Sequence, residues 1–241
     1  MFFAKHKLFV IELLCFGILV KGCYCEKNVN SNEDGAHPFA GCENAKKDKK
    51  VRVQVYGEAL CPDTTWIFNA KLKKLIQHPD VLDAIHFTYY PCGKCDCSGE
   101  AHVCKCQHGQ PECQQNQLQA CVMHYIPNVA EHLPLLLCLQ GQRSDNACLH
   151  GTRHAKHILD CAASDLGAKL QAHAYRVTSA NDQLDFVPWV VINGKHQWEM
   201  KDEFMEFVCK EIRELRTDAA TLPSYCIALL AKDMRGEGDE E

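Results

Sequence analysis

Val51-Arg52-Val53-Gln54-Val55-Tyr56-Gly57-Glu58-Ala59-Leu60-Cys61-Pro62-Asp63-Thr64 carries the chain from an alternating apolar segment into a cysteine and a proline. Residues 51–56 alternate apolar and polar side chains with β-branched residues on one face, the pattern of a half-buried strand. The segment from Pro62 to about Gln77 places Phe68, Leu72, Leu75 and Ile76 on one helical face. Proline suits the first helical position, where its missing N–H would be unpaired anyway. Cys61 therefore sits just before a helix, facing unpaired N–H groups and the positive end of the helix dipole. Both favour thiolate over thiol, and thiolate is the nucleophile of disulfide exchange. Asp63 works against that ionisation. A structural half-cystine is the competing reading of Cys61.

Working outward, His78-Pro79-Asp80 stops the helix and Ile85 to Tyr90 reads as a second strand. The stretch from about 91 to 170 is cysteine-rich and then mostly helical. Phe186 to Ile192 reads as a third strand ending in the turn Asn193-Gly194. Phe204, Phe207, Val208 and Ile212 mark a last helix. Strand–helix–strand, a long insertion, then strand–turn–helix is an α/β order. Pro188 opens the third strand. An edge-strand proline is one reading of it; a proline with a cis peptide bond facing Cys61, as in thioredoxin-like folds, is the other.

The 241 residues hold 17 cysteines, approaching the density of disulfide scaffolds, which is rare in cytosolic enzymes. Lys5 and Lys7 precede an apolar run from Leu8 to Val20, with Val20 and Gly22 at the −3 and −1 positions of a cleavage site. That layout is a signal peptide over 1–22 and too short for a membrane span. Cleavage there leaves 16 cysteines, an even number suited to bridging. Residues 23–50 read as a polar leader, 51–230 as the folded domain and 231–241 as an acidic tail. The net charge of −5 and a pI near 6.2 exclude an electrostatic nucleic-acid binder. Without 1–22 the net charge is −7, and protonating the 12 remaining histidines would take it to +5. No Asn lies two before a Ser or Thr, so no N-glycosylation site is present. Secretion is the default destination.

Cys106-Gln107-His108-Gly109, then Glu112-Cys113, Asn116 and Cys121, spells C-Q-H-G-x2-E-C-x2-N-x4-C. This resembles, without a mismatch, the signature of the gamma-interferon-inducible lysosomal thiol reductase (GILT) family. The likeness extends to the strand before Cys61, to residues 186–190 with Asn193-Gly194-Lys195, and to the signal peptide. It implies a thioredoxin-like fold with a helical, disulfide-rich insertion (about 91–170). It also implies reduction of protein disulfides, in mammals within acidic endosomes and lysosomes, with a cis-proline expected at Pro188. Family members carry Cys-x-x-Cys at Cys61. There the first cysteine attacks the substrate and the second resolves the mixed disulfide. His108 is taken as a brace for the insertion rather than a catalytic base.

The sequence departs from that pattern at Thr64, which stands where the resolving cysteine would be. A hydroxyl cannot displace a thiol from a mixed disulfide, so turnover through Cys61 needs an external thiol reductant or a second substrate thiol. Cys92, Cys95, Cys97 and Cys104 form a second departure. They read as disulfides closing a small loop, as soft-metal ligands with Cys106 and His108, or as a relocated partner for Cys61. His150, His154 and His157 would share a face if helical.

Three functions follow. The first is a secreted or endolysosomal thiol–disulfide oxidoreductase acting on disulfide-bonded proteins through Cys61 by a monothiol mechanism. The second is a non-catalytic binding protein of the same fold, and the third a metal-binding secreted protein. The first needs no cofactor and no metal, and no nucleic acid or membrane span enters any of them.

Overall fold

The computed structural model describes residues 50–99, 103–141, 145–181, 183–197, 203–216 and 218–235. The signal peptide, nearly all of the leader and the final acidic residues lie outside them. Strand β1 (Val51–Gly57) pairs in parallel with β2 (Ile85–Pro91), Val51 opposite Ile85 and Gly57 opposite Pro91. On its other edge β1 pairs antiparallel with β3 (Trp189–Ile192), Val55 opposite Val190. β3 turns through Asn193-Gly194 into β4 (Lys195–His196), giving the order β2-β1-β3-β4.

From Pro62 the crossover between the parallel strands is mostly helical. α1 (Pro62–Ile67) passes through a π-helical segment, Phe68–Leu72, into α2 (Lys73–Gln77), and a short α3 (Pro79–Leu82) follows. Phe68, Leu72 and Leu75 are fully buried with Val51, Val53 and Val55 from the alternate positions of β1, so the two sequence periods meet in one core.

Between β2 and β3 lie α4 (Gln110–Tyr125), α5 (Val129–Leu139), α6 (Asp145–Leu149), α7 (Ala155–Ala162) and α8 (Asp165–Ser179). α4 and α8 pack on β2. Cys121–Cys161 ties α4 to α7, and Cys138–Cys148 ties α5 to α6. Across its 40-residue separation, the first of these contributes about 4 kcal/mol by constraining the unfolded chain. This is a thioredoxin-like α/β fold with a helical, disulfide-rich insertion.

The C-terminal part holds α9 (Phe204–Leu215) and a further helix, α10 (Ser224–Arg235), bridged by Cys209–Cys226. α10 is absent from the sequence expectation and extends into the segment assigned to the tail, because Cys226 and Leu230 give it a buried side. Asn193 holds the β3–β4 turn in place. Its Oδ1 accepts from Arg52 N at 3.0 Å and its Nδ2 donates to Glu211 of α9 at 2.8 Å. Lys195 donates to the other oxygen of Glu211 at 2.8 Å. The three histidines expected on one helix face are not on one helix: α6 ends at Leu149, Gly151 turns the chain, and His154 caps α7.

Candidate active site

β1 ends at Gly57, and the next residues reach Cys61, the N-cap of α1 with φ −64° and ψ 125°. Its carbonyl accepts from Thr65 N and Thr65 Oγ1, both at 2.9 Å, fixing it on the first turn. Cys61 is buried at 6% exposure and is the free cysteine among the described residues; the other twelve are bridged. It is not joined to the Cys92–Cys104 cluster. Thr64 is wholly buried, and its Oγ1 accepts from Glu58 N at 3.4 Å. A Cβ on Gly57 would stand 2.6 Å from Thr64 Cγ2, so the strand end and the helix touch there. The Val187–Pro188 peptide bond is cis.

The backbone between Gly57 and Cys61 belongs to no regular element, and buried polar backbone must find partners elsewhere. Nearly all of them come from the insertion. Ala59 N donates to Asn116 Oδ1 at 2.9 Å, and Leu60 N to Glu112 Oε2 at 3.3 Å. Gln140 Nε2 donates to Glu58 O at 2.8 Å and Gly141 N to Ala59 O at 2.8 Å. Gln119 Nε2 in turn holds Gln140 Oε1 at 2.9 Å. Glu112, Asn116 and Gln119 follow one another at i, i+4 and i+7 along α4 and are fully buried. The polar face of α4 is thus a clamp on the loop that presents Cys61.

The remaining signature residues set up that clamp. Gly109 takes φ 81°, a left-handed conformation that favours glycine, and opens α4 as its N-cap. Cys106–Cys113 closes this turn, and Cys106 Sγ accepts from Gln171 Nε2 at 3.3 Å and Asn116 Nδ2 at 3.9 Å. Cys121 anchors the far end of α4 through Cys161. Gln107 is exposed, and Pro62 occupies the first position of α1.

Glu58, which the sequence reading passes over, is the chemical centre of this clamp. Its side chain is fully buried, and its Oε1 accepts from Lys94 N at 2.7 Å. Its Oε2 has no hydrogen-bond partner among the described residues. His108 Nδ1 stands 2.6 Å from Glu112 Oε2 and 3.8 Å from Glu58 Oε2, so the histidine bridges two buried carboxylates. Burial, and next the neighbouring Glu112, push the Glu58 carboxyl up from 4.5 to about 7; the Lys94 N–H, His108 and the Lys94 charge oppose this. Tyr89 is wholly buried, and its phenol is held well above its usual range by burial and then by Glu58, Glu112 and Cys61. The sequence signal for Glu58 is only its position three residues before Cys61.

Beside this loop, Gly93 N donates to Gly57 O at 2.9 Å. A Cβ on Gly93 would fall 2.2 Å from Val187 Cγ1, so only glycine lets the 92–95 turn close against the residue before Pro188. Cys92, Cys95 and Cys97 hold their sulfurs within 4.8 Å of one another, but as the disulfides Cys92–Cys95 and Cys97–Cys104. Metal ligation would first require reducing them, since a metal takes thiolates. Cys106 is bridged to Cys113, so the six-residue metal set of the sequence reading is not assembled.

The chain thus has a thioredoxin-like fold with a free thiol at the cap of α1 and a cis-proline just before β3. The solved structure of DsbA from Chlamydia trachomatis shares this fold, with a TM-score of 0.51 at 13% identity over 78% of this chain and all of that one. The model of the family described as gamma interferon inducible lysosomal thiol reductase (GILT) matches residues 52–165. A GILT-like protein of Caenorhabditis briggsae is 32% identical over 173 residues, spanning 67% of this chain and 79% of that protein. A GILT-like protein of Caenorhabditis elegans is 34% identical over 73% of this chain and 55% of its own length. The gamma-interferon-inducible lysosomal thiol reductase of Mus musculus is 27% identical over 66% of this chain and 67% of its own. The chain belongs to the GILT family.

Proposed function

We propose that this protein reduces disulfides in protein substrates through Cys61 by a monothiol mechanism, in the secretory or endolysosomal route. Its family and fold are those of thiol–disulfide oxidoreductases. The observation that carries the reading is the state of Cys61, unbridged at the cap of α1 while the other described cysteines are paired.

In the first step the Cys61 thiolate attacks one sulfur of the substrate disulfide. A Cys61–substrate bond forms, the substrate S–S bond breaks, and the leaving sulfur takes a proton. With Thr64 in the resolving position, a low-molecular-mass thiol attacks Cys61 Sγ and releases the second substrate thiol. A second equivalent then frees Cys61 and leaves as the oxidised thiol. One substrate disulfide is reduced and two external thiols become one disulfide.

Phe186 and Trp66, exposed at 40% and 44%, supply apolar surface for an unfolded segment near Pro188 and on α1. Residence in the secretory route rests on the signal-peptide pattern and the six disulfides among the described residues. No helix among the described residues is long and apolar enough to cross a membrane.

The test incubates a disulfide-bonded peptide with excess thiol and either the native protein or Cys61→Ser. Native protein accelerates reduction over thiol alone and yields a trapped Cys61–peptide adduct; Cys61→Ser does neither. Equal rates for the two proteins would refute the reading, and the non-catalytic binder would replace it.

A further inference from the structure

Five of the six described disulfides fall into two groups; the sixth, Cys106–Cys113, closes the turn that opens α4. Cys121–Cys161, Cys138–Cys148 and Cys209–Cys226 each join two helices across separations of 40, 10 and 17 residues. Cys92–Cys95 and Cys97–Cys104 close loops of 3 and 7 residues just beyond β2. Short loops constrain the unfolded chain least, so these two bonds, like Cys106–Cys113 with its separation of 7, contribute less to stability than the three longer closures. They are also in contact with each other. Cys97 Sγ lies 3.5 Å from Cys95 Sγ and 3.9 Å from Cys92 Sγ, the separation of touching sulfur atoms.

From this we infer a second thiol–disulfide exchange centre, made of Cys92, Cys95, Cys97 and Cys104, in which the Cys97 sulfur passes between Cys104 and Cys95 and the electrons come from a low-molecular-mass thiol. The centre works without Cys61 and goes beyond the proposed reaction there.

Cys104 is itself only 6% exposed, so entry at the Cys104 end requires the turn that carries it to open. Val103 is 67% exposed, and the arms of this turn are joined by the isolated bridge between Asp96 and Lys105, two hydrogen bonds of 2.8 Å. An external thiolate attacks Cys104 Sγ. It forms a mixed disulfide there, breaks Cys97–Cys104, and releases Cys97 as thiolate. Cys97 then attacks Cys95 Sγ, forming Cys95–Cys97 and breaking Cys92–Cys95. Cys92 leaves as thiolate and takes a proton from solvent. A second external thiol attacks the mixed disulfide, freeing Cys104 and leaving as the oxidised dimer. Two thiols have become one disulfide, and two protein disulfides have become one, with Cys92 and Cys104 reduced.

The product thiol at Cys92 has a defined place. The following residue, Gly93, is bonded to Gly57 and packed on Val187, and Lys94 N is bonded to Glu58. Exchange therefore alters the turn that borders the Cys61 loop. It also disturbs an apolar cluster in which Cys92, Cys95, Cys97 and Cys104 pack with Tyr56, Tyr90 and Trp189.

The test uses the full secreted chain carrying Cys61→Ser, so that nothing at Cys61 contributes. The protein is equilibrated in a graded series of reduced and oxidised glutathione, quenched in acid, alkylated, and mapped by mass spectrometry. At intermediate poise a Cys95–Cys97 bond with alkylated Cys92 and Cys104 is expected, while Cys121–Cys161, Cys138–Cys148 and Cys209–Cys226 stay closed. Adding Cys97→Ser and Cys104→Ser together should slow opening of Cys92–Cys95 at least tenfold. Absence of a Cys95–Cys97 bond at every poise overturns the proposal in the unaltered cluster, whether or not the multiple variant folds. Opening of Cys92–Cys95 at the same rate without Cys97 overturns it too. Stoichiometric zinc held by the reduced cluster, in place of the exchanged bond, would make it a metal centre instead.

Discussion

Replacing Glu58 by Gln removes one titrating group while leaving the local hydrogen bonding largely in place. The amide oxygen of Gln can still accept from Lys94 N, and its NH2 faces His108 and Glu112, whose ligand atoms lie within 4.8 Å of the Glu58 carboxylate. A carboxyl raised from 4.5 to about 7 holds its proton more tightly in the folded chain than in the unfolded one. Between those two pH values the folded chain therefore binds more protons, and stability falls as pH rises through that window. At ~1.4 kcal/mol per pH unit the loss reaches about 3 kcal/mol above neutrality. The Gln variant does not suffer it. Urea unfolding followed by circular dichroism, from about pH 5 to about pH 8, should give midpoints that nearly coincide at the acid end and separate towards the alkaline end, with Glu58→Gln the more stable. Parallel profiles would refute the reasoning, because they would mean that Glu58 is no more reluctant to ionise in the fold than in the open chain.

Thr64→Cys should restore a resolving thiol and raise turnover of a disulfide peptide at least tenfold at limiting external thiol; no gain would mean that the groove is inert. Asn116→Ala leaves Ala59 N unpaired in a buried site, so unfolding should become easier by about 1–3 kcal/mol, with peptide reduction slowed alongside; unchanged stability would remove Asn116 from the clamp. His132 is buried, with Nδ1 2.9 Å from Ile126 O, and burial holds it below its usual range. Stability is therefore lost as pH falls below ~6.5, and His132→Asn should show a shallower acid limb in the same urea series.

The residues that name the fold were readable because their physics is local. β1 alternates, α1 starts at a proline, and the third strand follows Pro188; each is a pattern over a few residues. β3 begins only at Trp189, three residues later than the apolar run from Phe186 suggests. α10 was missed because its buried side depends on a disulfide to α9, and pairing is a matter of distance in space.

The candidate site was legible in half. Cys61 and Thr64 declare themselves by spacing, and the signature residues by likeness. What the signature does was not legible: Glu112 and Asn116 bond backbone N–H groups more than fifty residues earlier. His108, read as a brace for the insertion, also stands between the carboxylates of Glu112 and Glu58. Three buried polar residues at i, i+4 and i+7 on α4 are the signal that could have suggested an internal clamp.

That clamp ties the placement of Cys61 to the oxidation state of its own scaffold. Glu112 and Asn116 point at the Cys61 loop only while α4 is held by Cys106–Cys113 at one end and Cys121–Cys161 at the other. A chain kept in a strongly reducing compartment would lose both staples before it met a substrate, and with them the loop geometry. The molecule thus carries its own permit: under the proposed function it can act as a reductant only after passing through an environment oxidising enough to finish it.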